Sequence, residues 1–180
     1  MDSGKPGDTR CSRMCGSRSS LPRPRQGGGN EEAVGGPTER YAQGMKRYLL
    51  DTTALLTLRD DELGADKVAE LLKQAQSATI RCLGCFISLM EVLYRVWREE
   101  GEAAGQLAYE QCLALPIEWI HETADLLKRA AAIKAAHPLS VADAWIAACA
   151  LQEEAVLIHK DPEFQAVAVK QEILPFKQSP

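Results

Sequence analysis

No apolar run in the sequence approaches the roughly 20 residues that a membrane-spanning helix needs, so a membrane protein is not expected. The first residues carry no apolar segment of the kind an export signal requires, and the expectation is a cytoplasmic chain. Six cysteines (Cys11, Cys15, Cys82, Cys85, Cys112 and Cys149) are too few for a disulfide scaffold at this length. Without an export signal, free thiols are expected. Only three histidines occur, and they form no cluster with one another or with cysteine. A strong positive charge is also missing: the formal charge is -4. Residues 1–45 hold seven Lys/Arg against five acids, so the remainder is acidic, with 20 Asp/Glu against 14 Lys/Arg. Such a body binds nucleic acid poorly by counter-ion release alone. If it handles nucleic acid, divalent cations must first offset local acids.

What is present divides the chain in two. Residues 1–45 are rich in Gly, Pro, Ser and Arg, without periodic apolar residues, and are expected to be a disordered tail. The abrupt change in composition also makes Met45 a candidate natural start. Residues 46–180 have the apolar content of one well-covered domain.

Within it, Tyr48-Leu49-Leu50 is a buried strand closed by Asp51, and a short helix runs from Thr53 to Arg59. Lys67 to Gln76 is a second helix, and Thr79 to Phe86 a second strand. Ser88 opens an amphipathic helix, Leu89 to Glu100, whose end Gly101 and Gly105 bracket. Another helix follows over about Glu102 to Leu113. Ile117 to His121 alternates as a third strand. Helices Ala124 to Ala136 and Val141 to Gln152, a buried strand Val156 to His159, a helical turn from Pro162 and an edge strand Glu172 to Phe176 complete the domain. The alternation predicts a three-layer α/β/α fold with a mostly parallel central sheet. Trp97, Trp119 and Trp145 are expected in its core.

Four acids stand in apolar sequence: Asp51, Glu91, Asp143 and Asp161. Two follow strands and two lie in the first turns of helices, so all four fall at one edge of a parallel sheet, where ligands of such sheets bind. Each has a purely structural reading. Ser88-x-x-Glu91 and Ser140-x-x-Asp143 match capping boxes, and Asp51 and Asp161 suit helix caps, the latter before Pro162. Together at one edge they describe a site instead. Close carboxylates repel by about 4 kcal/mol per pair at 4 Å and an effective dielectric near 20, which calls for a cation. All-oxygen ligands point to Mg²⁺ or Mn²⁺ rather than zinc. Arg95, Arg98 and Lys160 are candidate phosphate contacts, with Arg95 equally an ion-pair partner for Glu91. Cys82-Leu-Gly-Cys85 has a CxxC spacing but falls in a strand, where small buried residues are expected.

Leu-Asp51-Thr-Thr-Ala-Leu, Met-Glu91-Val-Leu-Tyr-Arg, Ser-Val-Ala-Asp143-Ala-Trp-Ile-Ala-Ala and His-Lys-Asp161-Pro-Glu-Phe resemble, in order, the motifs of PIN-domain nucleases, in particular the VapC-type toxins of bacterial toxin–antitoxin pairs. The resemblance spans about Met45 to Phe176. It implies a Mg²⁺- or Mn²⁺-dependent endoribonuclease with Asp51, Glu91, Asp143 and Asp161 as its catalytic metal-site acids. Thr53 takes the position of a supporting hydroxyl, and His159 the supporting position where such relatives often carry Ser or Thr. A homodimer, a cognate antitoxin and an RNA substrate, with tRNA the first to test, are implied in the same way. Two other readings stay open: a non-catalytic PIN-fold RNA-binding or regulatory module, and a phosphatase of haloacid-dehalogenase type. The latter wants an Asp where Thr53 stands.

Overall fold

The computed structural model describes residues 44–176. The expected tail, with Cys11 and Cys15, lies outside these apart from Gly44 and Met45. The elements are β1 (Arg47–Leu50), α1 (Thr52–Arg59), α2 (Ala65–Gln76), β2 (Arg81–Cys85), α3 (Phe86–Glu100), α4 (Glu102–Ala114), β3 (Glu118–Ile120), α5 (Ala124–Ala136), α6 (Val141–Gln152), β4 (Val156–His159), a 3₁₀ turn (Pro162–Ala166) and β5 (Gln171–Ile173).

The strands form one sheet in the order β3-β2-β1-β4-β5, with every pairing parallel. Parallel strands are covered on both faces, which is why β1, β2 and β4 read as continuous apolar runs. Successive residues point to opposite faces. Leu49, Leu83 and Leu157 face a core closed by α5, α6 and the 3₁₀ turn, including Leu126, Ile146 and Phe164. Leu50, Cys82 and Ile158 face a second core closed by α1 to α4, including Leu55, Leu71 and Val92. The layers are thus helix, sheet, helix, as expected. The chain lays β2 and β3 on one side of β1, then returns to lay β4 and β5 on the other. The β1/β4 boundary is therefore where the winding reverses.

Several expectations need correction. Ser88 does not open α3: β2 passes into the helix without a loop, so Cys85 is its N-cap and Ser88 lies in its first turn, fully buried. Gly105 does not mark a helix end but sits buried inside α4, where a Cβ would stand 2.8 Å from the Leu93 carbonyl oxygen and 2.8 Å from Trp97 Cβ. Its missing side chain lets α4 pack closely on α3. Gly101 is the true breaker, at φ +100 between the two helices. Trp97 is not a core residue, being 44% exposed, while Trp119 and Trp145 are half-buried. Trp119 lies across Gly84, where a Cβ would meet its ring at 2.5 Å. Trp145 packs edge-on to Phe86 with ring centroids 5.3 Å apart.

Candidate metal centre

Asp51 follows β1 directly, and its backbone N–H donates to the Ile158 carbonyl of β4 at 3.0 Å. That bond fixes it at the winding reversal. Its extended backbone makes it the N-cap of α1. Its Oδ2 accepts from the Thr53 N–H at 3.2 Å and from the Thr53 hydroxyl at 2.6 Å. The same hydroxyl accepts from the Lys160 N–H at 3.0 Å, tying the loop after β4 to the start of α1. Asp51 is 2% exposed. Burial pushes its carboxyl up from 3.8 to about 7; the Thr53 bonds oppose the rise, and the charge of Asp143 adds to it.

Glu91 comes from the second turn of α3. Its Oε2 accepts from the Thr52 hydroxyl at 2.6 Å, across 39 residues of sequence. Burial and, less strongly, Asp143 hold its carboxyl above the usual range, while the Thr52 bond and Arg95 pull it down. Asp143 lies in the first turn of α6, and its N–H donates to Ser140 Oγ at 3.0 Å, half of the expected capping box. Asp161 caps the 3₁₀ turn, its Oδ1 accepting from the Glu163 N–H at 2.8 Å ahead of Pro162 at the first position. Capping and convergence are therefore compatible: the caps aim these backbones at one edge.

The four expected acids gather around Asp143, whose charge reaches both Asp51 and Glu91. On its other side, carboxylate oxygens of Asp143, Asp161 and Glu163 all lie within 4.8 Å of one another. Asp51 is the buried floor; Asp143 and Asp161 are partly exposed, and Glu163 is exposed at the rim. Sequence reasoning missed two residues of this arrangement. Thr52 was hidden beside Thr53, and the repeated hydroxyl was the available signal. Glu163 looked like a solvated turn residue, although an acid two places after a capping Asp shares its turn.

The remaining candidates are placed differently. His159 is fully buried, with Nε2 3.0 Å from Gln171 Oε1 and its ring edge-on to Phe164 at 5.0 Å. Burial lowers its pKa. It braces β4 against β5 and the 3₁₀ turn. Lys160 Nζ donates to Glu62 Oε2 at 2.7 Å. Arg95 is half-buried one turn beyond Glu91, and Arg98 is exposed beside Glu99 at 3.3 Å. Cys82 and Cys85 point into opposite cores and share no site.

The structure is a three-layer α/β domain whose carboxylates cluster at the winding reversal, the edge at which such sheets take their ligands. The PIN domain family model matches residues 48–170, and the chain belongs to that family, whose members are nucleases. No curated protein matches the chain. Among solved structures, it is similar to the VapBC2 complex of Rickettsia felis, bound to a promoter DNA fragment (18% identity, 72% of this chain and 99% of that one, TM-score 0.59). It is also similar to VapBC-1 of nontypeable Haemophilus influenzae (22% identity, 71% and 97%, TM-score 0.55). A third similar structure is Mycobacterium tuberculosis VapC20, a sarcin–ricin loop cleaving toxin (18% identity, 68% and 95%, TM-score 0.53). At these identities the likeness is one of fold.

Proposed function

We propose that this chain is a Mg²⁺- or Mn²⁺-dependent endoribonuclease that hydrolyses RNA phosphodiester bonds, the toxin of a toxin–antitoxin pair, working as a homodimer restrained by a cognate antitoxin. The observation that carries this reading is the convergence of five acids from four separate segments on one edge, with Asp51 buried and its carboxyl pushed up to about 7. Such a cluster fits a hard cation, because each of the five acids offers a carboxylate oxygen. Asp143, Asp161 and Glu163 would hold the ion from the rim, with Asp51 and Glu91 completing the set from below. A bound divalent cation supplies Lewis-acid polarisation of a phosphate and a water acidified toward neutrality.

The chain's own residues prepare that site. Thr53 orients one oxygen of Asp51 and fastens it to the β4 loop; Thr52 orients one oxygen of Glu91 and ties α3 to the start of α1. Both hydroxyls favour the ionised acids that a cation requires. Arg95, Arg98 and Lys160 are the proposed contacts to RNA phosphates around the acidic rim. Lys160 would exchange its bond to Glu62 for a phosphate oxygen. RNA is the substrate class argued here, and VapC20's activity on the sarcin–ricin loop makes structured RNA worth testing alongside total tRNA.

The test is cleavage of total tRNA and ribosomal RNA by purified protein with Mg²⁺ or Mn²⁺. Asp51→Asn and Asp143→Asn are expected to abolish cleavage while the far-ultraviolet circular dichroism spectrum is retained. Full activity in both purified variants would refute the site. Calorimetry separates the reading from a non-catalytic RNA-binding module, which would bind no Mn²⁺.

A further inference from the structure

Cys85 and Cys149 meet beneath the acids. Cys85 ends β2 and caps α3, six residues before Glu91, and Cys149 lies on α6, six residues after Asp143. Their sulfurs are 3.4 Å apart, with Cys149 donating to Cys85 Sγ, and both residues are fully buried. We propose that Cys85 and Cys149 form an oxidisable dithiol site, closed to a reversible disulfide by a peroxide, and that this crosslink alters ion binding by the acids above it.

The two thiols differ from the others described. Cys82 donates only to the Leu71 carbonyl at 3.6 Å, and Cys112 has no thiol partner; burial pushes both up to about 11. Cys85, by contrast, accepts a hydrogen bond from Cys149 with the sulfurs 3.4 Å apart, and it stands at the N-terminus of α3. A helix N-terminus and a hydrogen-bond donor each favour the thiolate form of a cysteine. Cys85 also lies close enough to Asp51 and Glu91 to feel their charges.

In the first step the Cys85 thiolate attacks one oxygen of hydrogen peroxide and the O–O bond breaks. Cys85 becomes a sulfenic acid, and the departing hydroxide takes the thiol's proton as water. Cys149 sulfur then attacks Cys85 sulfur, and the hydroxyl leaves with the Cys149 proton as a second water. Two thiols are oxidised by two electrons, and one peroxide is reduced to two waters. Reaching a bond length of about 2.05 Å requires the sulfurs to close by roughly 1.4 Å from their present separation. That displacement draws the start of α3 toward α6, the two helices that carry Glu91 and Asp143. The effect on the ion rests on the metal reading proposed above.

The experiment treats full-length protein with hydrogen peroxide, maps disulfide-linked peptides by mass spectrometry, and measures Mn²⁺ affinity by calorimetry before oxidation, after it, and after dithiothreitol. A Cys85–Cys149 linked peptide with the loss of two hydrogens is expected, together with a several-fold weaker Mn²⁺ affinity that dithiothreitol restores. Cys149→Ser and Cys85→Ala should lack the linked peptide and hold a Mn²⁺ affinity indifferent to peroxide, whereas Cys82→Ser should behave as wild type. Absence of the linked peptide in wild type, or its formation with unchanged affinity, overturns the proposal. Reduced protein that binds no Mn²⁺ overturns both the metal reading and the consequence assigned to the crosslink, whether or not the peptide forms.

Discussion

Replacing Asp51 by Asn should stabilise the metal-free protein at alkaline pH, and the size of the effect follows from where the carboxylate sits. Burial lifts its pKa from 3.8 to about 7. A carboxyl raised in the folded state binds its proton more tightly there than in the unfolded chain. Its contribution to stability is therefore complete below pH 4 and lost as pH rises through 7. At about 1.4 kcal/mol per pH unit, the loss by pH 8 is about 4 kcal/mol. Asparagine has the same shape and never ionises, but accepts the Thr53 bonds less strongly, at a cost of about 1–2 kcal/mol. The net expectation is a gain of about 2 kcal/mol at pH 8, turning into a loss of about 1 kcal/mol at pH 4. Urea denaturation of both proteins in a chelating buffer, across pH 4 to 8, measures the difference directly. Excess Mn²⁺ at pH 8 should reverse the order, because the protein with its aspartate gains more from the cation than the Asn variant does. An Asn variant less stable than wild type at every pH without metal would refute the account of Asp51 as a desolvated anion.

Other consequences are simpler to test. Glu163→Gln should weaken Mn²⁺ binding about tenfold, equivalent to 1.4 kcal/mol, with an unchanged melting temperature; equal affinity by calorimetry would remove Glu163 from the site. Thr52→Val removes the bond that lowers the Glu91 pKa, so the acid limb of the cleavage profile should move to higher pH, with Thr52→Ser restoring it. An unmoved profile in Thr52→Val would show that the bond is idle. Gly84→Ala drives a methyl into the Trp119 ring, with an expected cost of about 1–3 kcal/mol in urea denaturation.

Much of the scaffold was legible because apolar blocks and breakers coincide with its boundaries. The limits of α5, α6 and β4 are those expected from the sequence, and Ser140 caps α6 as its spacing to Asp143 indicates. The meeting of Asp51, Glu91, Asp143 and Asp161 near one edge also follows once the strands are taken as parallel. What escaped depends on distance rather than pattern. Ser88 reads as a cap because the sequence does not reveal that β2 runs into α3 without a turn. Gly105 reads as a breaker because only the approach of Leu93 and Trp97 explains its missing side chain. The bond from Thr52 to Glu91 spans 39 positions, and no local signal announces it. Glu163 joins the rim only because Asp161 turns the chain back upon itself.

The place of β1 has a consequence for synthesis. It is the first of the described strands to be made, yet it lies at the centre, paired on one flank by β2 and on the other by β4. A growing chain on the ribosome therefore carries its innermost strand with one side bare until more than a hundred further residues have emerged. Asp51 waits as long for Asp161 and Glu163. The acidic cluster is therefore incomplete in any product that ends before Asp161.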